Sequence, residues 1–381
     1  MSPVRYFTSK VNRGISNGVR ILIVAGASGG HIFPALSFLN ALKDKHKEVD
    51  ILFVLPKRSI GVKMISQVHN IKYLSISPIK LHFDFQNFIA ILGFVKGSLE
   101  SLVLLLEFRP DIVAGFGSIN SIPLLFFAWL FRIKTLIHEQ NVYPGRANRF
   151  LAKFADKIAI SFQESRDYLK ADKEKVVFTG NPGHEELKRI EKKEALSFLG
   201  LDNDKFTILV MGGSGGSHSI NINFLNAISM FSGSSQLQII HIAGTSDYDL
   251  LEKSYKNLKV KFKLFSFLDQ MQYAYSASEL VICRSGATTI AELINFALPA
   301  VIIPYPYAYK HQMKNAQILE KRGAGIIIKD KELNANLLKE HIESLLNNPR
   351  KMEDMRLGYN SFPRIDANKI LIEEVMSLQF S

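Results

Sequence analysis

Val281-Ile282-Cys283-Arg284-Ser285-Gly286-Ala287-Thr288-Thr289-Ile290-Ala291-Glu292 decides how the chain is read. It opens as an apolar strand, turns at Ser285-Gly286 and continues as a helix whose first turn carries no acidic side chain. Backbone N–H groups at such a helix start are unpaired and make an anion site. Glu292 stands more than one turn in, placed to reach something beside a bound diphosphate. A strand-turn-helix with these chemical needs suits a nucleoside diphosphate.

Outward from this stretch, short apolar runs alternate with helical periods. Strands are expected at 19–25, 50–55, 71–76, 111–115, 134–137, 156–160 and 175–178. A second series is expected at 206–212, 237–242, 260–264, 279–283, 300–303 and 325–328. Helices are expected at 32–42, 85–107, 119–131, from about 218, and at 247–257, 270–276, 287–296 and 310–321, with two more near 336–346 and 365–378. Alternation of this kind implies parallel sheets covered on both faces, which bind ligands at the carboxyl ends of their strands. Thr179-Gly180-Asn181-Pro182-Gly183 breaks the pattern and reads as a hinge. Each half opens with strand, glycine loop and helix: Gly26-Ala27-Ser28-Gly29-Gly30-His31 in one, Gly212-Gly213-Ser214-Gly215-Gly216-Ser217 in the other. The fold class is α/β, two doubly wound Rossmann-like domains facing across a cleft.

The 381 residues suffice for two domains, and 47% hydrophobic with 22% charged content gives each a core and argues against disorder. A net charge of +12 favours an anionic partner. No Arg-rich tract or zinc-finger signature supports nucleic acid. The one cysteine, Cys283, excludes a disulfide framework and reads as a small buried side chain. Residues 1–18 lack the apolar core of a secretory signal and read as a flexible extension. The uncharged runs 85–95 and 121–131 are too short against the ~20 residues of a membrane span.

Neither glycine loop fits the dinucleotide fingerprint, because Ser28, His31 and His218 occupy positions that need glycine. His31 sits at a helix start, where the dipole favours neutral imidazole and suits a general base; a loop-capping histidine is an equal reading. His138-Glu139-Gln140-Asn141 ends a strand and points into the expected cleft; a polar surface loop is the plainer alternative. Glu139 is a second candidate base, and Asn141 a candidate for sugar hydroxyls. Gln312 and Asn315 share a helix face, one suited to ligand and the other to structure. No metal-ligand spacing is present, and no metal or organic cofactor is expected.

These motifs, with 115–117, Gly180-Asn181-Pro182 and His311-Gln312-x-x-Asn315-Ala316, occur in an order that resembles the MurG family over roughly residues 19–350. The resemblance implies a GT-B fold. Its acceptor and membrane-facing domain would span 19–180, joined by a C-terminal helix at about 362–381. Its donor domain would span 181–361. The implied reaction moves N-acetylglucosamine from UDP-N-acetylglucosamine to the 4-hydroxyl of MurNAc in lipid I, with inversion, on the cytoplasmic face of the bacterial inner membrane. Other cell-wall synthesis enzymes are partners it admits. By motif, Ser28, Gly29 and Gly30 would approach the donor from the N-terminal side and Asn141 would contact the sugar. Ser214 and the amides of Ala287, Thr288 and Thr289 would hold the diphosphate. Glu292 would take the ribose, Gln312 the sugar hydroxyls, and the Leu268 backbone would read uracil. The family's Gly-Asn-Pro-x-Arg pattern is broken here: His184 stands in place of the arginine.

Phe83, Phe85, Phe88, Phe94 and 126–131, with Lys72, Lys80, Lys96, Arg132 and Lys134 nearby, suggest an apolar, cation-rimmed patch centred on 80–96 for an anionic membrane surface. Each aromatic taken singly reads as core. Two rivals remain: a UDP-N-acetylglucosamine 2-epimerase of the same architecture, and a non-catalytic nucleotide-sugar or lipid-binding subunit.

Overall fold

The structure, a computed structural model, describes residues 18–57, 70–75, 85–183, 187–231, 236–308 and 310–380, with 85–90 described by backbone alone. The extension before Gly18, His184, Lys80 and the side chains of Phe83, Phe85 and Phe88 therefore lie outside the described residues.

The first half builds a seven-stranded sheet from β1 (Arg20–Ala25), β2 (Asp50–Pro56), β3 (Ile71–Leu74), β4 (Ile112–Phe116), β5 (Lys134–Glu139), β6 (Lys157–Ile160) and β7 (Val176–Phe178). Its order is β3-β2-β1-β4-β5-β6-β7, and every pairing is parallel. Along β1, Ile21 and Ile23 enter one core while Leu22 and Val24 enter another. A sheet buried on both faces needs apolar side chains at every position, which is why the strands read as unbroken runs rather than alternating ones. Helices α1 (Gly29–Lys45) and α13 (Ala367–Ser377) cover the first face through Phe38, Leu39, Leu371 and Val375. Helices α2 (Phe85–Phe108), α3 (Ile122–Leu130) and α4 (Arg146–Leu151) contribute Leu105, Leu124 and Leu151 to the second.

The second half repeats the plan with β8 (Phe206–Met211), β9 (Leu237–Ile242), β10 (Lys261–Phe265), β11 (Leu280–Cys283), β12 (Ala300–Ile302) and β13 (Gly325–Ile327), ordered β10-β9-β8-β11-β12-β13 and again parallel. Helices α5 (Lys192–Leu199), α8 (Met271–Ala277), α9 (Ala287–Phe296) and α10 (His311–Glu320) pack on one face. Helices α6 (His218–Ser229), α7 (Tyr248–Tyr255), α11 (Ala335–Leu346) and α12 (Pro349–Gly358) pack on the other.

In each sheet the strand order reverses beside the first strand, between β1 and β4 and between β8 and β11. Ligands of open α/β sheets settle at such reversals. Both glycine loops and the 284–286 turn lie there. The chain then returns to its first half. α13 joins the N-terminal core, Asn368 Nδ2 donates to the Gly183 carbonyl at 2.9 Å, and Lys157 pairs with Glu374.

Two expectations shift. The strand expected at 134–137 runs on through Glu139, because His138 and Glu139 pair in register with Ala159 and Ile160 of β6. The helix expected at 119–131 divides into a 3₁₀ turn (Ile119–Ser121) and α3, with Pro123 in the first turn of α3, where its missing N–H costs nothing.

Candidate active site

The two domains enclose a cleft of about 1500 Å³, larger than the ~300–1,000 Å³ of an ordinary small-molecule pocket. It has room for two reactants. The sequence-derived candidates that are described all line it.

From the N-terminal side comes the loop after β1. Ser28 caps α1 in extended conformation, and no side chain occupies the free amides of the first turn. Gly30 faces open space, and a Cβ on Gly29 would stand 3.7 Å from Ser214 Oγ, so the two glycine loops meet across the cleft. His31 is the third residue of α1. Its Nδ1 lies 3.1 Å from Gln140 Oε1. Gly117 has φ +78°, and a Cβ there would sit 3.0 Å from the His31 ring; only glycine leaves the imidazole its place. Burial pulls the His31 pKa below its ordinary value, opposed by the Glu139 charge and the Gln140 hydrogen bond, assisted by His311 and opposed again by the Phe116 carbonyl. His31 therefore rests neutral near pH 7.

From the C-terminal side come α9 and the loop after β8. Gly286 caps α9 without a side-chain bond, no acid stands in its first turn, and Thr288 Oγ1 is buried without a partner. Free amides of Ala287, Thr288 and Thr289 beside an unpaired hydroxyl fit an anion. Glu292 accepts from the Tyr275 hydroxyl at 2.7 Å, and burial pushes its pKa up to about 7, with the Tyr275 bond pulling the other way. Gln312 Oε1 accepts from the Tyr305 and Ser285 amides at 2.9 and 3.2 Å, which leaves its Nε2 to donate into the cleft. Leu268, half-buried in the loop after β10, lines the same space.

Two candidates have different work. Glu139 is 1% exposed, and both its oxygens are taken: Oε1 by the Asn141 amide at 2.8 Å, Oε2 by the Gly145 amide and Asn148 Nδ2, each at 2.9 Å. A carboxylate with its lone pairs so occupied shapes the 139–145 loop, and its charge acts on His31. Asn141 Oδ1 accepts from Asn315 Nδ2 at 3.0 Å, and Asn141 Nδ2 donates to Glu139. Its side chain therefore bridges the domains while lining the cleft.

Asn315, fully buried, carries that bridge further. Its Nδ2 also donates to the Ser285 carbonyl, and its Oδ1 accepts from the Val142 amide at 2.9 Å. His311 donates through Nδ1 to the Tyr143 carbonyl, and Arg322 pairs with Glu164. Val142 and Phe162 of the first half enter a core of the second. α10 thus clasps one side of the cleft.

Sequence reasoning missed Arg284. Arg284 is 8% exposed, and its guanidinium donates to Ser217 Oγ, Ser219 Oγ, the Ile303 carbonyl and Asp330. It ties the glycine loop, β12 and the 330 turn to the start of α9. The signal was present: a cation directly after four apolar residues at a strand's carboxyl end.

Residues 21–160 match the glycosyltransferase family 28 N-terminal domain, and residues 207–368 match the glycosyltransferase family 28 C-terminal domain. A Halothermothrix orenii protein named UDP-N-acetylglucosamine–N-acetylmuramyl-(pentapeptide) pyrophosphoryl-undecaprenol N-acetylglucosamine transferase is 37% identical over 346 residues, covering 88% of this chain and 93% of its own. An Alkaliphilus metalliredigens protein of the same name is 35% identical, covering 94% and 99%. The chain belongs to the MurG family. The crystal structure of Acinetobacter baumannii MurG superposes with TM-score 0.75 at 23% identity, covering 94% of this chain and 99% of that one, and the fold is GT-B. A putative UDP-N-acetylglucosamine 2-epimerase from Listeria monocytogenes reaches 0.67 at 13% identity, covering 94% and 96%. Architecture is therefore shared with epimerases, and sequence is what separates this MurG-family chain from them.

Proposed function

We propose that the protein is an inverting glycosyltransferase that moves N-acetylglucosamine from UDP-N-acetylglucosamine to the 4-hydroxyl of MurNAc in lipid I. The observation that carries this reading is the pairing of His31 with the bare α9 start on opposite walls of one cleft, in a chain 37% identical over 88% of its length to a protein of that name. The diphosphate sits on the amides of Ala287, Thr288 and Thr289, with Ser214 beside it. Glu292 accepts from the ribose hydroxyls, the Leu268 backbone meets uracil, and Gln312 Nε2 donates to a sugar hydroxyl. His31 Nε2 takes the acceptor's proton as its oxygen attacks the anomeric carbon. The bond to UDP breaks on the far face, and the helix-start amides stabilise the charge left on UDP. Glu139, close to His31 but itself fully hydrogen-bonded, favours the imidazolium that forms.

The acceptor's lipid places the protein on the anionic inner face of the bacterial plasma membrane, held peripherally. α2 supports this: Leu92, Val95, Leu99, Val103 and Leu106 recur at three- and four-residue spacing along one face, each 44–60% exposed, with Lys96 beside them. Among the described residues, no helix is long and apolar enough to cross a membrane.

Incubation with UDP-N-acetylglucosamine and a short-chain lipid I analogue tests the reading. Disaccharide-lipid plus UDP is expected. UDP-N-acetylmannosamine formed without acceptor would replace it with epimerisation, and donor binding without turnover would leave a binding subunit.

A further inference from the structure

We propose that His138 and Gln140 are positioning residues that fix the tautomer of His31, so that Nδ1 carries the proton and Nε2 meets the cleft as a bare lone pair. The inference rests on His31 being the base, as proposed above.

The chain of contacts starts at the linker. The Gly180 carbonyl can only accept, and it lies 3.1 Å from His138 Nε2, so that nitrogen bears hydrogen. His138 is fully buried, and burial holds its pKa down to about 4. It is neutral across the physiological range, and its Nδ1 is a lone pair. Gln140 Nε2 lies 3.1 Å from that lone pair and 3.2 Å from the His138 carbonyl. Both amide hydrogens are thereby used. The amide oxygen is left 3.1 Å from His31 Nδ1. An oxygen that can only accept requires N–H on His31 Nδ1. A neutral imidazole has one N–H, so Nε2 is bare.

The reverse arrangement fails at two points. A flipped Gln140 would set its oxygen against the His138 lone pair and against the His138 carbonyl. Two buried clashes of acceptor with acceptor suppress it by roughly ten- to a hundredfold. Gln140 is 1% exposed, so water does not relieve them. Histidine in water prefers the opposite tautomer, with hydrogen on Nε2, which could not act as a base towards the cleft. Three contacts between Gly180 and His31 reverse that preference. Gly180, at φ +78° and packed against Ile365 and Ala367, is a fixed point in the domain linker.

The test uses the full chain labelled with ¹⁵N-histidine, the His31 signals being assigned by their loss in His31→Ala. Long-range ¹H–¹⁵N spectra at pH 7.5 are expected to show the Nδ1–H tautomer. In Gln140→Leu, His31 is expected to move towards Nε2–H. kcat should fall ten- to a hundredfold while the KM for UDP-N-acetylglucosamine changes less than twofold. Gln140→Glu keeps an acceptor on Nδ1 but sets its second oxygen against the His138 lone pair and carbonyl, so it should hold His31 as Nδ1–H, unlike Gln140→Leu, while lowering the Tm. An Nε2–H tautomer in the wild type, or unchanged tautomer and kcat in Gln140→Leu, would overturn the proposal. If the wild type transfers no sugar yet its tautomer responds to Gln140, the functional reading fails and the positioning role stands.

Discussion

His31 and Glu292 face each other in chemistry as well as in space. Both are partly buried titratable groups, and burial pushes each towards its neutral form. For His31 this keeps the imidazole unprotonated at neutral pH, the state its proposed role as base requires. His31→Ala is expected to lower kcat by roughly 10²–10⁴ in a steady-state assay. The wild-type kcat should lose its acid limb only below the ordinary histidine range. For Glu292, whose pKa is about 7, the carboxylate, a stronger acceptor for ribose hydroxyls than the neutral acid, forms as pH rises through that value. Donor affinity should therefore rise as pH increases through 7. Glu292→Gln should raise the donor KM more than it lowers kcat and flatten that pH dependence, measured by donor titration between pH 6 and 8.5. The same group acts on stability with a definite sign. Its folded pKa is raised above the unfolded value, so its contribution is full below pH 4.5 and is lost as pH rises through about 7. His31, Glu292 and Gln312 were legible as candidates because the sequence around each states its chemistry: glycines, a strand end, a bare helix start. The work of Glu139 and Asn141 was not legible, because it is set by Gly145, Asn148 and Asn315, which only the fold brings near.

At the scale of elements, α10 and α2 have opposite tasks. α10 turns buried polar groups across the cleft, and Asn315 alone joins Asn141, Val142 and Ser285. Asn315→Ala would leave the Val142 amide and Asn141 Oδ1 without this partner in a buried place, at about 1–3 kcal/mol. A Tm lowered by several degrees, with turnover reduced, is expected by calorimetry and assay. α2 instead turns apolar groups outward. Replacing Leu99 and Leu106 with Glu should abolish binding to anionic phospholipid vesicles in a sedimentation assay while leaving the Tm within about two degrees, since both side chains are exposed. The apolar stripe was anticipated near 80–96; its described part starts at Ile91 and runs on to Leu106. Buried strands were easy to read because two-sided burial forces unbroken apolar runs. The short helices α4, α5 and α12 escaped, being mostly polar and brief. α12 did carry its own signal, an Asn348 cap followed by Pro349.

At the scale of the molecule, the design is a duplicated sheet with its strand ends turned inward. Each strand-order reversal offers a glycine loop to the same cleft, and the chain's return through α13 ties the linker to the first domain. The repeat was visible in the two glycine loops; the return of α13 depends on packing that no local pattern announces. With the proposed base His31 on one wall of the cleft and the proposed diphosphate site on the other, attack is expected from the face opposite UDP. The direct test is the anomeric configuration of the disaccharide made by the wild-type protein from UDP-N-acetylglucosamine and a short-chain lipid I analogue, read from the proton coupling at the new linkage. A β-linked N-acetylglucosamine on the MurNAc 4-hydroxyl is the predicted result; an α-linked product, or N-acetylmannosamine left on UDP with the acceptor untouched, would contradict it.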